Sequence, residues 1–319
     1  MRNVVSRLLY SVALSIGIAL SSGLVHAMPY TDVVIFGDSL SDPGNRFADS
    51  GVPPAPYFNG QLSNGPVWAN AFAQHFGLNA NPLSQGGHNY AYAGATTGAT
   101  GLPNDAPTLM QQQAAYLVSN GGAADPNALY VVFGGGNDIP DAMMSGNLGL
   151  LGDGVSNIVT MIGTLYGAGA RNVLVANLPN IGHTPRMAAL GAGAQSLGTA
   201  LALSWNAALG SALDGFSVLP DLDLNRLDMF SLEANVLANA AIYGYINTTE
   251  PCFDGVSICA NPGEYYYWDG FHPTAQGHFL IAQAAINAIP EPATALLVGL
   301  GLIGLMARRS GVLRSRSVS

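Results

Sequence analysis

Hydrophobic positions along the chain fall into two kinds of spacing. Val33-Val34-Ile35-Phe36, Leu129-Tyr130-Val131-Val132-Phe133 and Val173-Leu174-Val175-Ala176 are unbroken apolar runs, and Phe216–Leu222 is a weaker fourth. Continuous short runs suit strands buried on both faces. The three clear runs lead into Gly37-Asp38-Ser39, into three Gly with Asn137-Asp138, and into Asn177-Leu178-Pro179. Between them, helical spacing predicts helices over Val67–Phe76, Leu109–Val118, Val155–Tyr166, Met187–Leu209 and Ala275–Ala288. Strand and helix in alternation predict a three-layer α/β/α sandwich with a central, mostly parallel sheet. Ligands in such sheets sit beyond the carboxyl ends of the strands, the edge where these polar residues gather.

Nothing in the middle marks a linker or a repeat, so one domain is expected over residues 28–289. Both flanks read as processing segments. Residues 1–27 have a signal-peptide pattern: Arg2 and Arg7, an apolar stretch from Leu8 to Leu20, and Val25-His26-Ala27 at the cleavage positions. Residues 290–319 carry Pro290-Glu291-Pro292, an apolar run from Ala293 to Ala307, then Arg308 and Arg309. That order resembles the PEP-CTERM sorting tail. The resemblance implies transient inner-membrane anchoring, recognition by an exosortase and loss of the tail. It also implies delivery to the surface or matrix of a Gram-negative cell, often alongside exopolysaccharide.

Composition narrows the function. Hydrophobic residues make up 49% and charged residues 9%, against about 25% charged in ordinary domains, which excludes a disordered or coiled-coil chain. All ten basic residues are Arg, and residues 28–289 hold 18 acids against 4 Arg, a formal charge of −14. Nucleic-acid binding needs clustered cations and is excluded as a partner class. Export places Cys252 and Cys259 in an oxidising compartment, where a disulfide is the expected state. Without an adjoining His pair they make a poor metal site, and nothing calls for a metal or an organic cofactor.

Chemistry concentrates in four short segments. Ser39, in Phe36-Gly37-Asp38-Ser39-Leu40-Ser41-Asp42, follows a strand in a Gly-containing turn and can present its hydroxyl to a cleft. A serine hydroxyl needs a base and an oriented partner. Asp269 and His272, three apart in Trp268-Asp269-Gly270-Phe271-His272-Pro273, can supply both, the carboxylate selecting the imidazole tautomer. Pro273 biases His272 away from helix. The Asn137 amide and the backbone N–H groups of Gly94 and Ser39 offer three donors to an oxyanion.

With these residues in view, the chain resembles a GDSL-type lipase/esterase of the SGNH hydrolase superfamily. Ser39, Gly94, Asn137 and His272 are the four letters, in order. Tyr57 through Trp68, Asn177 through Pro185, Asn206 with Leu209, and Asp269 through Gly277 match its autotransporter-esterase and plant-type branch. The resemblance implies the three-layer (flavodoxin-like) α/β/α fold and hydrolysis of acyl esters. It implies Ser39, Asp269 and His272 as a triad, with Ser39, Gly94 and Asn137 at the oxyanion. Ala93 stands where a second Gly is usual, and Gln61 where Arg is common.

Other residues have plainer readings. His75, His88, His183 and His278 are rival bases; His278 reads as packing or surface, and His183 as a loop residue at the productive edge, with substrate lining the lesser alternative. Asp38, Asp42 and Asp138 read as turn-stabilising carboxylates. Tyr265, Tyr266, Tyr267 and Trp268 suit either an acyl or sugar site or a packed loop near the cysteines. Pro53-Pro54-Ala55-Pro56 reads as a semi-rigid loop. The Gly run 134–136 lacks the rest of a phosphate-binding motif. The expected substrate is an acyl ester: a lipid, a short-chain ester or an O-acetylated polysaccharide. A non-catalytic surface protein on the same fold, and an acyltransferase using the same acyl-enzyme, are the competing readings.

Overall fold

Residues 30–100 and 105–290 are described in the computed structural model of the chain. Short strands form where the apolar runs predict them: β1 (Val33–Gly37), β2 (Leu129–Phe133) and β3 (Asn172–Ala176). With β4 (Asp223–Leu227) they make a parallel sheet in the order β1-β2-β3-β4. Alternate residues of the same strands enter two separate cores. Val34, Phe36, Tyr130, Val132 and Val175 pack with Leu109, Ile158, Met161, Leu165 and Trp205. Val33, Ile35, Leu129, Val131 and Leu174 pack with Trp68, Phe72, Ile281 and Ala285. Helices Leu109–Ser119, Gly149–Ala168 and Ala192–Asp214 therefore cover one face, and Trp68–His75 and Ala275–Asn287 the other. Burial on both faces explains why β1, β2 and β3 do not alternate polar with apolar.

The connection after β1 creates the site. Ile35 N–H donates to His88 O at 3.1 Å, Tyr90 N–H to Ile35 O at 2.7 Å, and Tyr92 N–H to Gly37 O at 3.1 Å. Residues 88–92 thus run parallel to β1 on the edge away from β2, with Ile35 bridged to Asn89. The chain leaves β1 on one side and continues on the other, and the crevice beyond such a switch point is where open sheets hold ligands. Tyr30–Glu291 form one compact unit. The expected signal segment and the sorting tail from Glu291 onward lie outside the described residues, and so does the expected anchoring by that tail. Among the described residues, no helix is long and apolar enough to cross a membrane.

Three sequence expectations need correction. The fourth strand is Asp223–Leu227, and the expected run instead begins as a short 3-10 turn, Gly215–Val218. β4 is an edge strand, so it keeps Asp223 and Arg226 toward water and never shows a continuous apolar run. The long helix expected over 187–209 is two, Pro185–Ala189 and Ala192–Asp214. They break at Gly191, whose φ of 95° belongs to the left-handed side that favours glycine. A second, two-stranded sheet, β5 (Asn247–Pro251) with β6 (Tyr265–Tyr267), was not anticipated. Both cysteines lie in the connection between these two parallel strands, joined by a Cys252–Cys259 disulfide.

Candidate active site

Ser39 sits one turn beyond β1. The Asp38 backbone carbonyl accepts from Ser41 and Asp42 N–H, and the Asp38 carboxylate accepts from Leu40 N–H at 3.0 Å. This closes the chain tightly around Ser39. Gln112, buried in the neighbouring helix, clamps the strand end: its Oε1 accepts from Gly37 N–H and its Nε2 donates to Gly37 O, both at 2.9 Å. Asp38 therefore acts within the turn, and burial pushes its carboxyl up to about 6.

Across the crevice, residues 268–274 fold back before the last helix. Trp268 N–H donates to His272 O, and Thr274 N–H to Tyr266 O. His272 Nε2 lies 2.8 Å from Ser39 Oγ, and its Nδ1 lies 2.9 Å from both carboxylate oxygens of Asp269. Asp269 Oδ1 also accepts from Phe271 and His272 N–H, each at 2.8 Å, and Oδ2 accepts from the Tyr57 hydroxyl at 2.9 Å. Burial alone pushes the Asp269 carboxyl up, but the His272 charge, the Nδ1 hydrogen bond and two backbone donors hold it down at about 2. Burial likewise lowers His272, and the adjacent Asp269 outweighs it, leaving the imidazole raised above its ordinary value.

The other two segments are held to the same turn. Asp42 accepts from Gly44, Asn45 and Arg46 N–H and, at 2.8 Å, from Ala93 N–H. Arg46 Nη1 donates to Ala93 O at 2.8 Å. Both backbone groups of Ala93 are therefore fixed, and with them the peptide leading to Gly94, whose φ is 89°. Asn137 precedes the helix Asp138–Ser145, and one hydrogen of its amide goes to Ala95 O at 2.8 Å. Asp138 reaches back to Thr97 N–H and Oγ1 rather than stabilising its own turn. The Gly run before Asn137 serves close packing, because a Cβ on Gly135 would fall 2.3 Å from the Trp205 ring.

Ser39, Asn137 and His272 line a cavity of about 210 Å³ together with Tyr266, Tyr267 and Glu233. Gly94 is not among its lining residues. The aromatic cluster divides: Tyr266 and Tyr267 form cavity wall, while Trp268 stacks on Phe253 beside the disulfide. None of the rival histidines joins Ser39. His278 is buried in the last helix, accepts from Trp68 N–H, and is pushed by burial down to about 3. His88 pairs with Asp32, and His75 lies edge-on to Phe76. Ile181 and Thr184 reach the cavity on either side of His183, which does not, so the lesser, substrate-lining alternative for His183 finds no support there.

Sequence reading missed Tyr57, Gln112 and Glu233. Tyr57 lay inside a quoted segment but carried no chemical signature. Glu233 is buried in the helix Met229–Ala238, accepts from Tyr267 Oη at 2.9 Å and Asn180 N–H at 2.7 Å, and is raised by burial to about 7. A single acid amid apolar helix positions gave no signal. Among the described residues, no group of three or more His, Cys, Asp or Glu side chains could hold a metal ion.

Comparison with known proteins bears on the whole unit. The family model of GDSL-like Lipase/Acylhydrolase matches residues 33–285, and that of the PEP-CTERM protein-sorting motif matches residues 288–310. The chain is similar to Lipase 1 of Photorhabdus luminescens, 26% identical over 87% of this chain and 53% of that one. It is similar to Esterase EstA of Pseudomonas aeruginosa, 28% identical over 83% and 47%. An Acetylesterase of Thermothelomyces thermophilus is 28% identical over 80% and 87%. The chain thus spans about half the length of the first two. With the family pattern matched across nearly all of the folded unit, the chain belongs to the GDSL-like lipase/acylhydrolase family.

Proposed function

We propose that the chain is an exported serine ester hydrolase that cleaves carboxylic acyl esters through an acyl-enzyme. The observation that carries this reading is the Ser39–His272–Asp269 chain of hydrogen bonds at 2.8 and 2.9 Å on the wall of a cavity. His272 donates Nδ1–H to Asp269, which leaves Nε2 to accept the Ser39 proton. Ser39 Oγ attacks the ester carbonyl. The oxyanion is met by the Ser39 and Gly94 N–H groups and by the Asn137 amide hydrogen not given to Ala95. The His272 imidazolium returns the proton to the leaving alcohol as the tetrahedral intermediate collapses. Water, deprotonated by His272, then attacks the acyl-Ser39 ester, and the acyl–Oγ bond breaks as the imidazolium returns the proton to Ser39 Oγ, releasing the acid.

Export and exosortase-type sorting rest on the PEP-CTERM match at residues 288–310. Lipids, short acyl esters and O-acetylated polysaccharide are the substrate classes. Transfer of the acyl group to another alcohol uses the same residues, and product analysis with and without added alcohol separates it from hydrolysis.

The test is turnover of a p-nitrophenyl ester series, acetate to palmitate, by the chain and its Ser39→Ala variant. The variant is expected to lose at least about 10³-fold of the activity. Retained turnover would remove Ser39 as the nucleophile. No turnover from folded wild-type protein on any ester, polysaccharide acetate included, would leave a binding protein on a hydrolase fold.

A further inference from the structure

We infer that the chain carries a second ligand site, a groove that holds a neutral oligosaccharide. A cavity of about 660 Å³, sharing no lining residue with the one beside Ser39, is bordered by helices Asn45–Ser50 and Trp68–His75 and by loops at 58–61 and 81–85. Its size is that of small-molecule sites, about 300–1,000 Å³. Its lining is unlike the apolar lining such sites usually have.

No residue of its wall is charged, although the middle of the chain carries 18 acids. An anionic ligand finds no cation there, and a cation finds no carboxylate. The wall presents the side-chain amides of Asn70, Gln74, Asn81 and Gln85. Each amide offers two N–H donors and a carbonyl acceptor, which suits hydroxyl groups that donate and accept at once. Asn70 lines the groove, and its Oδ1 is buried with no hydrogen-bond partner among the described residues. Gln61, standing where Arg is common in this branch, also lines the groove; its Oε1 is committed to Val67 N–H at 2.7 Å. An Arg there would have put a charge in the wall.

Two aromatic faces complete the site. Phe47 and Phe58 line the groove and are 40% and 38% exposed. Phe47 is seated against Gly60, where a Cβ would fall 2.1 Å from the Phe47 Cβ, so that platform is fixed by contact. A flat, rigid apolar face beside amide donors fits a sugar ring, which has a C–H face and a hydroxyl rim. A lipid chain would strip water from the amides of the wall and offer them no hydrogen bond in return. A peptide docking by strand addition needs a free strand edge, and no strand borders the groove.

The test is a glycan array of neutral, acidic and amino oligosaccharides, probed with the full chain carrying Ser39→Ala so that no ester is consumed. Neutral glycans are expected to be retained. The exposed-site double variant Gln74→Ala/Gln85→Ala, and separately Phe47→Ala, should each weaken retention at least tenfold with the far-ultraviolet circular dichroism unchanged. Two kinds of groove variant keep the test decisive if one fails to fold. Capture of charged glycans only, no capture by folded protein, or equal capture by the folded variants would overturn the assignment. The readout is binding, so its outcome is separate from that of the ester series.

Discussion

Tyr57 and Asp269, 212 positions apart, meet in a hydrogen bond: the Tyr57 hydroxyl donates to Asp269 Oδ2 at 2.9 Å. The Tyr57 ring stands edge-on to both Phe253 and Trp268. Burial, followed by the Asp269 charge and hydrogen bond, raises the phenol well above its ordinary range, so it stays a donor. Tyr57→Phe keeps the ring and removes the donor. A hydrogen bond to a charged group is worth about 1.5–3 kcal/mol, so kcat should fall about tenfold. The carboxylate left with fewer donors should also attract the His272 proton more strongly and move the acidic limb of kcat/KM to higher pH. A pH–rate profile checks both, and a lower rate with an unmoved limb would reduce Tyr57 to packing.

Asn137→Ala should lower kcat by about 10²–10³ with little change in KM, the signature of a donor that meets charge only in the transition state. Steady-state kinetics on p-nitrophenyl acetate decides it. A rise in KM alone would make Asn137 a substrate-binding side chain.

Two groups set opposite pH dependences. His272 must be neutral to accept the Ser39 proton, and its pKa is raised above 6.5. Activity should therefore climb with pH through a limb above that value. Asp269, depressed from 3.8 to about 2, adds stability that is complete above its unfolded pKa and lost as pH falls through about 2. Asp269→Asn should remove that dependence, which urea melts between pH 2 and pH 5 would detect.

Glu233 titrates with the opposite sign. Its folded pKa of about 7 exceeds the ordinary 4.5, so stability it contributes below pH 4.5 is lost as pH rises through 7. Between pH 5 and pH 8 the urea midpoint of the wild type should fall more steeply than that of Glu233→Gln. Parallel slopes would show that the buried carboxyl is solvated after all.

Breaking the Cys252–Cys259 bridge opens a short loop, and chain entropy predicts a stability loss of about 2–3 kcal/mol. Denaturation of Cys252→Ser/Cys259→Ser against the oxidised wild type measures it. Because Phe253, a residue of this loop, stacks on Trp268, loosening the bridge should also lower kcat several-fold.

Much of this was legible in the residues. β1, β2 and β3 announced themselves because strands buried on both faces must be apolar throughout, and β4 did not because it is an edge. Ser39, Asp269, His272 and Asn137 were visible as motifs whose chemistry is local: a turn after a strand, a carboxylate three residues from an imidazole. Tyr57, Gln112, Arg46 and Glu233 act through partners 34 to 212 positions away. A hydroxyl, an amide or a lone acid has no spacing rule that says where it will fold to.

The contact between Ser39 and His272 joins positions 233 apart, nearly the full span of the folded unit. A chain made from its N-terminus holds the strand, the turn and the serine long before it holds the imidazole. Truncated products that stop short of residue 272 keep the hydroxyl and lose its base. The hydrogen-bonded pair is thus assembled only once the chain has been made past residue 272.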